Sequence, residues 1–251
     1  MTQEPQFIWN GVSSLRYHIR LLEGLDYTVP EEVLQFEEIA GRQGAIPYSE
    51  ERMRDIHKQI PIEIEKQADQ TLPQQLRQII RWLRTPRGYT KLILSTNPNY
   101  YYEAICHGGF QTTNETASWV DTSLPFRCKP VMYRLDGDLS RAVTDGQVLT
   151  NPESEPALPI ITFRFSGTAD GTLTVNGRQY RFARTIGAGL ITLDSEKGIA
   201  YREGQVNISN QVFVQTDGYR PPVLEPGDNT IRFTTQLTNV QITPRWRAIA
   251  L

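Results

Sequence analysis

The sequence is poor in the residues that build covalent, metal-bound or titratable sites. Its 251 residues include only two cysteines, Cys106 and Cys128, and three histidines. Two cysteines are too few for a disulfide framework, and these two lack the C-x-x-C spacing of zinc and redox sites. We therefore expect two buried, unreactive thiols.

Long apolar runs are also missing. No stretch approaches the ~18 consecutive apolar residues that indicate a membrane span. The first ten residues include Glu4 and Pro5 and lack the basic flank and apolar segment of a secretory signal. We expect synthesis in the cytoplasm and no association with membranes.

The charge is nearly balanced, with 26 basic against 28 acidic residues and a formal net charge of −2. Non-specific affinity for nucleic acid comes mostly from a basic surplus that neutralises phosphates. Direct binding of nucleic acid is therefore not expected. Hydrophobic residues make up 39% and charged residues 22% of the chain, which is typical of a folded globular protein.

Motifs for catalysis or cofactor binding are absent from the sequence. None of His18, His57 and His107 accompanies a nucleophile elbow, and no two have metal-ligand spacing. The glycine-rich segments 41–44 and 187–189 lack the lysine of a phosphate-binding loop. The sequence thus predicts no enzyme, no metal and no cofactor. A pair of glycosidase carboxylates leaves no short motif and stays open.

Strand and helix signals mix in the first half. Phe7 to Trp9, the Asn10-Gly11 turn and the run 17–22 predict an opening pair of strands, because Asn-Gly tolerates the positive φ of tight turns. The alternation of isoleucines at 60, 62 and 64 predicts a strand with one buried face. Two runs, 89–94 and 100–107, predict a hairpin. Cys128 alternates with charged neighbours and is predicted to point inward from a half-buried edge strand.

One helix is strongly indicated between Thr71 and Pro86. Thr71 is its predicted cap, with Gln74 as capping-box partner. The apolar face comprises Leu76, Ile79, Ile80 and Leu83, and the opposite face carries Arg77, Arg81 and Arg84. The arginine face is either a solvated helix surface or a docking site for an acidic partner. The first half is therefore α+β, mostly β with one principal helix.

The composition changes after Leu135. Residues 136–159 are rich in turn formers, which indicates a linker or a long surface connection. We place an N-terminal domain at 1–135 and a C-terminal domain at 136–251. Short strand runs follow at about 8–12-residue spacing and predict an antiparallel β-sandwich: 161–165, 173–175, 180–182, 190–194, 199–201, 206–215, 230–234 and 240–246. Between the second and third runs, Asn176-Gly177 predicts a hairpin turn.

A sugar-binding module is the main alternative for this sandwich. Tyr201, Tyr219 and Trp246 could stack on apolar sugar faces, although core packing explains the same residues. The main alternative function is thus a carbohydrate-binding protein that contacts the cell wall. A secreted hydrolase is a third alternative, disfavoured by the missing signal.

Several short motifs follow one another along the chain. They are Phe7-Ile8-Trp9-Asn10-Gly11, Ala40-Gly41-Arg42-Gln43-Gly44 before Tyr48, Tyr100–Ala104, Phe126–Pro130, Asn151–Pro159, Ile191–Asp194 and Leu224–Ile231. In the last motif, Pro226 presets φ and Gly227 can take the positive φ of a type II turn. In this order the motifs resemble the distal tail protein (Dit) family of long-tailed, non-contractile phages of Gram-positive bacteria.

The resemblance implies a structural baseplate hub located at the tail tip of the virion. N-terminal domains would form a homohexameric ring that continues the tail tube, and C-terminal galectin-like sandwiches would project outward. The implied partners are the tail tube protein, the tail-tip protein and, in some phages, receptor-binding proteins. DNA would pass through the lumen without being bound. Gln43 departs from the family, in which an acidic residue is common at this position.

The segment from Pro30 to Tyr48 is our candidate for part of the ring contact. It combines apolar side chains with a flexible glycine-rich turn. The candidate interface residues are Val33, Phe36, Ile39, Gly41, Arg42 and Gly44. An ordinary edge strand and turn is the alternative interpretation of the same pattern.

Overall fold

The structure is a computed structural model that describes residues 4–213 and 218–251, and for Glu51 the backbone alone. The chain divides into two compact units. Unit 1 comprises residues 1–132 together with 249–251, and unit 2 comprises residues 133–248. The return of the last three residues to unit 1 is not predicted by the sequence.

Unit 1 is organised around one large sheet. The strands up to residue 134 and the returning strand are β1 (Phe7–Trp9), β2 (Val12–Ser13), β3 (Ile19–Leu21), β4 (Glu32–Glu37), β5 (Ile46–Met53), β6 (Ile56–Glu65), β7 (Thr90–Leu94), β8 (Tyr100–Cys106), β9 (Thr112–Thr113), β10 (Trp119–Arg134) and β21 (Arg247–Ile249). The sheet order is β2-β1-β7-β8-β10-β6-β3, with β9 and β21 also paired to β10. β4 and β5 form a separate two-stranded sheet.

The opening turn forms as predicted, but its partner strand is short. Asn10 and Gly11 have φ of 49° and 76°, and Trp9 pairs with Val12 across the turn. The predicted partner run 17–22 does not pair with β1. Ser14–Tyr17 is a 3-10 helix, His18 takes a left-handed conformation, and β3 pairs with β6 at the far side of the sheet.

The buried face of β6 is confirmed. Ile60, Ile62 and Ile64 are all fully buried, since alternate side chains of a strand point to the same face. Cys128 is also buried, as predicted. The assignment of its strand to a sheet edge is wrong, because β10 lies between β8 and β6. Pro125 stands opposite Gln59 inside this ladder; a proline removes only one ladder donor, and the other residues of the long strand keep the pairing.

Helix α1 (Leu72–Arg84) and its cap match the prediction. The Thr71 backbone N–H donates to Gln74 Oε1 at 2.9 Å, which satisfies a donor at the helix start. Ile79 and Leu83 are buried, and so is Trp82. The Trp82 ring stacks on Tyr17 with centroids 4.4 Å apart, and Trp82 also stacks on Phe7 in β1. Aromatic stacking therefore packs the helix against the sheet.

Unit 2 consists of two antiparallel sheets around one core. Its strands are β11 (Arg141–Ala142), β12 (Val148–Asn151), β13 (Ile160–Phe165), β14 (Gly171–Val175), β15 (Arg178–Phe182), β16 (Gly189–Asp194), β17 (Ile199–Arg202), β18 (Val206–Asn207), β19 (Gly227–Phe233) and β20 (Leu237–Thr243). One sheet has the order β11-β20-β13-β16-β17-β18 and the other β12-β19-β14-β15. Phe163 and Phe182 meet edge to face between the sheets, with centroids 4.9 Å apart. The predicted sandwich and the turn at Asn176-Gly177 are confirmed.

Two sequence predictions fail inside unit 2. The expected linker 136–159 is part of the sandwich: it contains a 3-10 helix (Leu135–Asp138), β11 and β12, because its turn residues alternate with short ladder segments. The expected strand 206–215 is the two-residue β18 followed by a short helix, α2 (Ser209–Val212). Residues 214–217 lie outside the described part of the chain. A further 3-10 helix spans Arg184–Ile186.

Candidate functional site

Exposed apolar side chains of unit 1 are concentrated in the segment 27–48, which includes most of the β4–β5 hairpin. β4 pairs with β5 and with no other strand that the structure describes. Six of the thirteen large hydrophobic side chains exposed in the described residues fall between positions 27 and 48: Tyr27, Val29, Leu34, Phe36, Ile39 and Tyr48. Exposed apolar side chains concentrated on one element mark an interaction surface.

The hairpin has two chemically different faces. Its register places Leu34 opposite Ser49 and Phe36 opposite Pro47, so these residues share one face. Gln35 and Tyr48 share the other face, where the Gln35 amide donates to a Glu50 carboxylate oxygen at 2.8 Å. One face thus carries Leu34 and Phe36, and the other carries the polar pair of Gln35 and Glu50 together with the Tyr48 ring.

The six candidate interface residues do not all point outward. Phe36 is 66% exposed and Ile39 is also exposed, whereas Val33 is only 7% exposed. The Val33 side chain is therefore packed within its own subunit, and its part in a contact with a neighbour stays a prediction. Gly41 and Gly44 both have φ of 83°, a conformation that favours glycine, and Arg42 is exposed at the same turn.

The hairpin also concentrates negative charge. Residues 31–54 include six glutamates and three arginines. Arg52 pairs with Glu50 at 2.7 Å, and Arg54 pairs with Glu31 at 3.1 Å. Glu37 and Glu38 are exposed. Hydrogen bonds from Gln35 and Arg52 lower the pKa of Glu50.

Helix α1 carries the opposite charge. Arg77, Arg81 and Arg84 are exposed, as predicted, and the helix sequence contains no acidic residue. The guanidinium group of Arg84 donates to the Gly108 carbonyl oxygen at 3.2 Å. A basic helix face and an acidic hairpin therefore belong to the same unit.

A buried lysine in unit 1 was missed by the sequence reasoning. Lys58 is 3% exposed, and its Nζ donates to the main-chain oxygens of Asp26 at 3.1 Å and Leu251 at 2.6 Å. Burial lowers the pKa of Lys58. The Tyr102 hydroxyl donates to the same Leu251 oxygen at 2.7 Å, and burial raises the pKa of Tyr102 to about 12.

The position of Lys58 gives this cluster a structural role. Lys58 occupies the buried face of β6, where the alternation with Ile56 and Ile60 could have revealed it. The group borders a cavity of about 380 Å³. Because Lys58 and Tyr102 both bind backbone oxygens, they clamp the residues around Asp26 and Leu251 onto unit 1.

Both cysteines are buried, as expected. Burial raises the pKa of Cys106 to about 11 and that of Cys128 to about 12. A thiol reacts as its thiolate, so these values disfavour a nucleophilic role for either side chain. Their low reactivity itself stays a prediction.

A buried amide network explains the Pro-Gly turn of unit 2. Asn229 is fully buried, and its Nδ2 donates to the carbonyl oxygens of Glu225 and Gly227, both at 2.8 Å. Its Oδ1 accepts from Asn176 Nδ2 at 2.6 Å. Asn151 likewise donates to the carbonyl oxygen of Glu155 at 2.9 Å. The asparagines of two sequence motifs thus organise turns.

The aromatic residues considered for sugar stacking differ in exposure. Trp246 is only 2% exposed, so its ring is not available to a sugar, in agreement with core packing, the other interpretation of this residue. Tyr201 is half-buried. Tyr219 is 39% exposed, and its hydroxyl donates to the Gly198 carbonyl oxygen at 2.9 Å.

Residues 4–213 and 218–251 contain neither a metal-binding cluster nor a membrane-spanning helix. No three His, Cys, Asp or Glu side chains in these ranges are grouped so that they could hold a metal ion. The helices of the same ranges are too short or too polar to cross a membrane.

A sheet covered by one helix, joined to a β-sandwich, is an architecture also found in a phage hub protein. The chain has the fold of the Dit protein of phage SPP1, with a TM-score of 0.72, 14% sequence identity, and coverage of 96% of this chain and 97% of that one. SPP1 Dit is described as a paradigm of the hub adsorption apparatus in phages that infect Gram-positive bacteria. The resemblance expected from the sequence is thus confirmed at the level of the fold.

A chain of the phage p2 baseplate, in its activated conformation with strontium, matches with a TM-score of 0.48, 10% identity, and coverage of 95% of this chain and 96% of that one. No family model and no curated protein matches the sequence.

Proposed function

We propose that this chain is a distal tail protein, a structural hub at the tip of a non-contractile phage tail. The observation that carries the proposal is the fold shared with SPP1 Dit over nearly the whole length of both chains. A match confined to one unit would fit many β-sandwiches. A match that includes both units, in the same chain order, favours the same role in a tail.

The hub is a ring of six copies built by unit 1. A closed ring forms when one surface of each subunit repeatedly meets a different surface of its neighbour. The β4–β5 hairpin offers one such surface, with Phe36 and Ile39 exposed beside the Gly41–Gly44 turn. Val33 supports the hairpin from within its own subunit.

The ring joins the tail tube protein to the tail-tip protein and, in some tails, carries receptor-binding proteins. Unit 2, a galectin-like sandwich in this proposal, provides the surface for those further proteins. DNA passes through the lumen without being bound, consistent with the net charge of −2. The hub works by contact alone and catalyses no reaction.

Electron cryomicroscopy of tail particles that contain this chain tests the proposal. We expect six copies in one ring between the tube and the tip, with residues 34–48 of each subunit at a neighbour. A single copy per tail, or a ring held together by unit 2, contradicts it. The genes beside the coding sequence give an independent check, since a tape-measure gene upstream and a tail-tip gene downstream are expected.

A pair of variants tests the hairpin contact. Phe36→Ser removes an exposed ring from β4, and Leu139→Ser removes an exposed side chain of comparable exposure from unit 2. We expect particles made with Phe36→Ser to lose the hub ring and particles made with Leu139→Ser to retain it. Equal behaviour of the two variants contradicts the assignment of the contact to this hairpin.

A further inference from the structure

We propose that the acidic hairpin β4–β5 of one copy docks on the arginine face of helix α1 in a second copy. This inference rests on the proposed ring and assigns both surfaces of its repeating contact. The hairpin provides the first surface, and the arginines at 77, 81 and 84 provide the second. The two surfaces differ, as a closed ring requires.

Two arginines of this face repel each other. Arg77 and Arg81 are spaced i, i+4, and like charges at this spacing destabilise a helix. Since α1 contains no acidic residue, the helix does not neutralise them itself. Among the residues that the structure describes, neither arginine has an acidic partner in its own chain. A face of this kind is suited to an acidic surface supplied from outside.

The hairpin has matching free charge. Glu37 and Glu38 lie where β4 enters the glycine-rich turn, and both are exposed. Within the described part of the chain neither has a cationic partner, in contrast to Glu31 and Glu50. The charge available for docking is therefore concentrated at the tip of the hairpin.

The dimensions of the two surfaces are compatible. The rise of 1.5 Å per helical residue spreads Arg77 to Arg84 over about 10 Å. At about 3.3 Å per strand residue, Glu32 to Glu37 span about 16 Å. The backbone of the hairpin is thus longer than the arginine row, and its free charge, at Glu37 and Glu38, meets part of that row.

Charge reversal tests the pairing through four full-length forms. The helix variant carries Arg77→Glu and Arg81→Glu, and the hairpin variant carries Glu37→Arg and Glu38→Arg. A third form combines all four changes. The matched control carries Arg164→Glu and Arg232→Glu, which reverse two exposed arginines of unit 2. Self-association is measured by sedimentation velocity from micromolar to millimolar concentration, in 50 mM and 500 mM NaCl.

We expect the wild-type chain and the control to self-associate, more strongly in 50 mM NaCl because salt screens exposed charges. The helix variant and the hairpin variant should each associate at least about tenfold more weakly, since every docking contact then pairs like charges. The form with all four changes should recover the self-association of the wild type, because the charges of both surfaces are reversed together.

An equimolar mixture of the helix variant and the hairpin variant should also self-associate about as strongly as the wild type. In an alternating ring, an acidic hairpin meets a basic helix at one junction and a basic hairpin meets an acidic helix at the next. Such a ring closes only with an even number of subunits. Recovery in the mixture therefore also supports six copies over five or seven.

Several results overturn the docking proposal. The proposal is contradicted if the wild-type chain stays monomeric at every concentration. It is also contradicted if the mixture of the two variants does not self-associate, or if the helix variant associates as strongly as the wild type. In the last case, the arginines contact another protein or nothing. None of these results changes the location of the chain in tail particles, which tests the hub function separately.

Discussion

The buried amide of Asn229 gives the sharpest prediction about the stability of unit 2. Its side chain makes three short hydrogen bonds, to the carbonyl oxygens of Glu225 and Gly227 and from Asn176, at 2.6–2.8 Å. It also lies 3.3 Å from the Leu149 carbonyl oxygen on the neighbouring strand. The residue is fully buried, so water cannot replace these partners.

Asn229→Ala should therefore cost far more than an ordinary substitution. Each hydrogen bond contributes roughly 1 kcal/mol net, and each buried group left without a partner costs roughly 1–3 kcal/mol. We expect the free energy of unfolding of unit 2 to fall by about 3–5 kcal/mol. For a unit of this size, the melting temperature should fall by about 10 °C or more. Asn229→Asp keeps the shape but turns a carboxylate toward carbonyl oxygens, so it should be at least as destabilising.

Scanning calorimetry of the whole chain measures the shift, with Asn210→Ala as the matched control because Asn210 is exposed on α2. Hydrogen exchange of peptides from β12 and β19 should show the loss of protection in the same variants. If Asn229→Ala melts within about 2 °C of the control, the network does not stabilise the turn as argued. If Asn229→Asp is as stable as the wild type, hydrogen bonds donated by the Asn229 amide are not what stabilises the turn.

The described geometry gives four further predictions. Burial raises the pKa of Cys106 to about 11 and that of Cys128 to about 12, so a chromogenic disulfide reagent at pH 7.5 should label neither thiol until the chain unfolds; labelling within minutes contradicts this. Lys58→Met removes the donor to the main-chain oxygen of Leu251, so hydrogen exchange at residues 249–251 should become faster. Exchange at the wild-type rate contradicts this prediction. Burial also lowers the pKa of Lys58, so in the alkaline range below pH ~10.5 the unfolded chain holds more of this proton and the contribution of Lys58 to stability rises with pH. The buried thiols and Tyr102, whose pKa values burial raises, contribute the opposite slope in the alkaline range. Urea titrations should therefore show that the wild type gains stability relative to Lys58→Met as pH rises, and equal slopes for the two chains contradict this. Limited trypsin treatment should cut after Arg42 in its exposed turn before Arg141 in β11; first cleavage at Arg141 would restore the linker interpretation of 136–159.

Local patterns predicted the elements whose geometry depends on neighbouring residues. The capping pair at Thr71 and Gln74, the turn at Asn10-Gly11 and the alternation through Ile60 to Ile64 were all correct. In each case a few adjacent side chains decide the backbone conformation. The sandwich of unit 2 followed from the same kind of pattern.

The features that the sequence did not reveal depend on partners distant in sequence. Val33 is buried although its neighbours in β4 are exposed, and periodicity does not show which part of a hairpin touches the core. The alternation from Phe126 to Pro130 suggested an edge strand, yet β10 has neighbours on both sides, β6 and β8. Lys58 stayed unnoticed because its acceptor, Leu251, is 193 positions away.

The return of Ile249–Leu251 to unit 1 makes unit 2 an insertion within unit 1. The Ala250 N–H donates to the Pro130 carbonyl oxygen at 2.9 Å, and Leu251 provides the acceptor shared by Lys58 and Tyr102. During synthesis, residues 1–132 emerge first but lack these partners until all of unit 2 has been translated. The unit that starts folding first is thus the last to be finished, and only a chain translated through unit 2 offers a complete unit 1 for assembly.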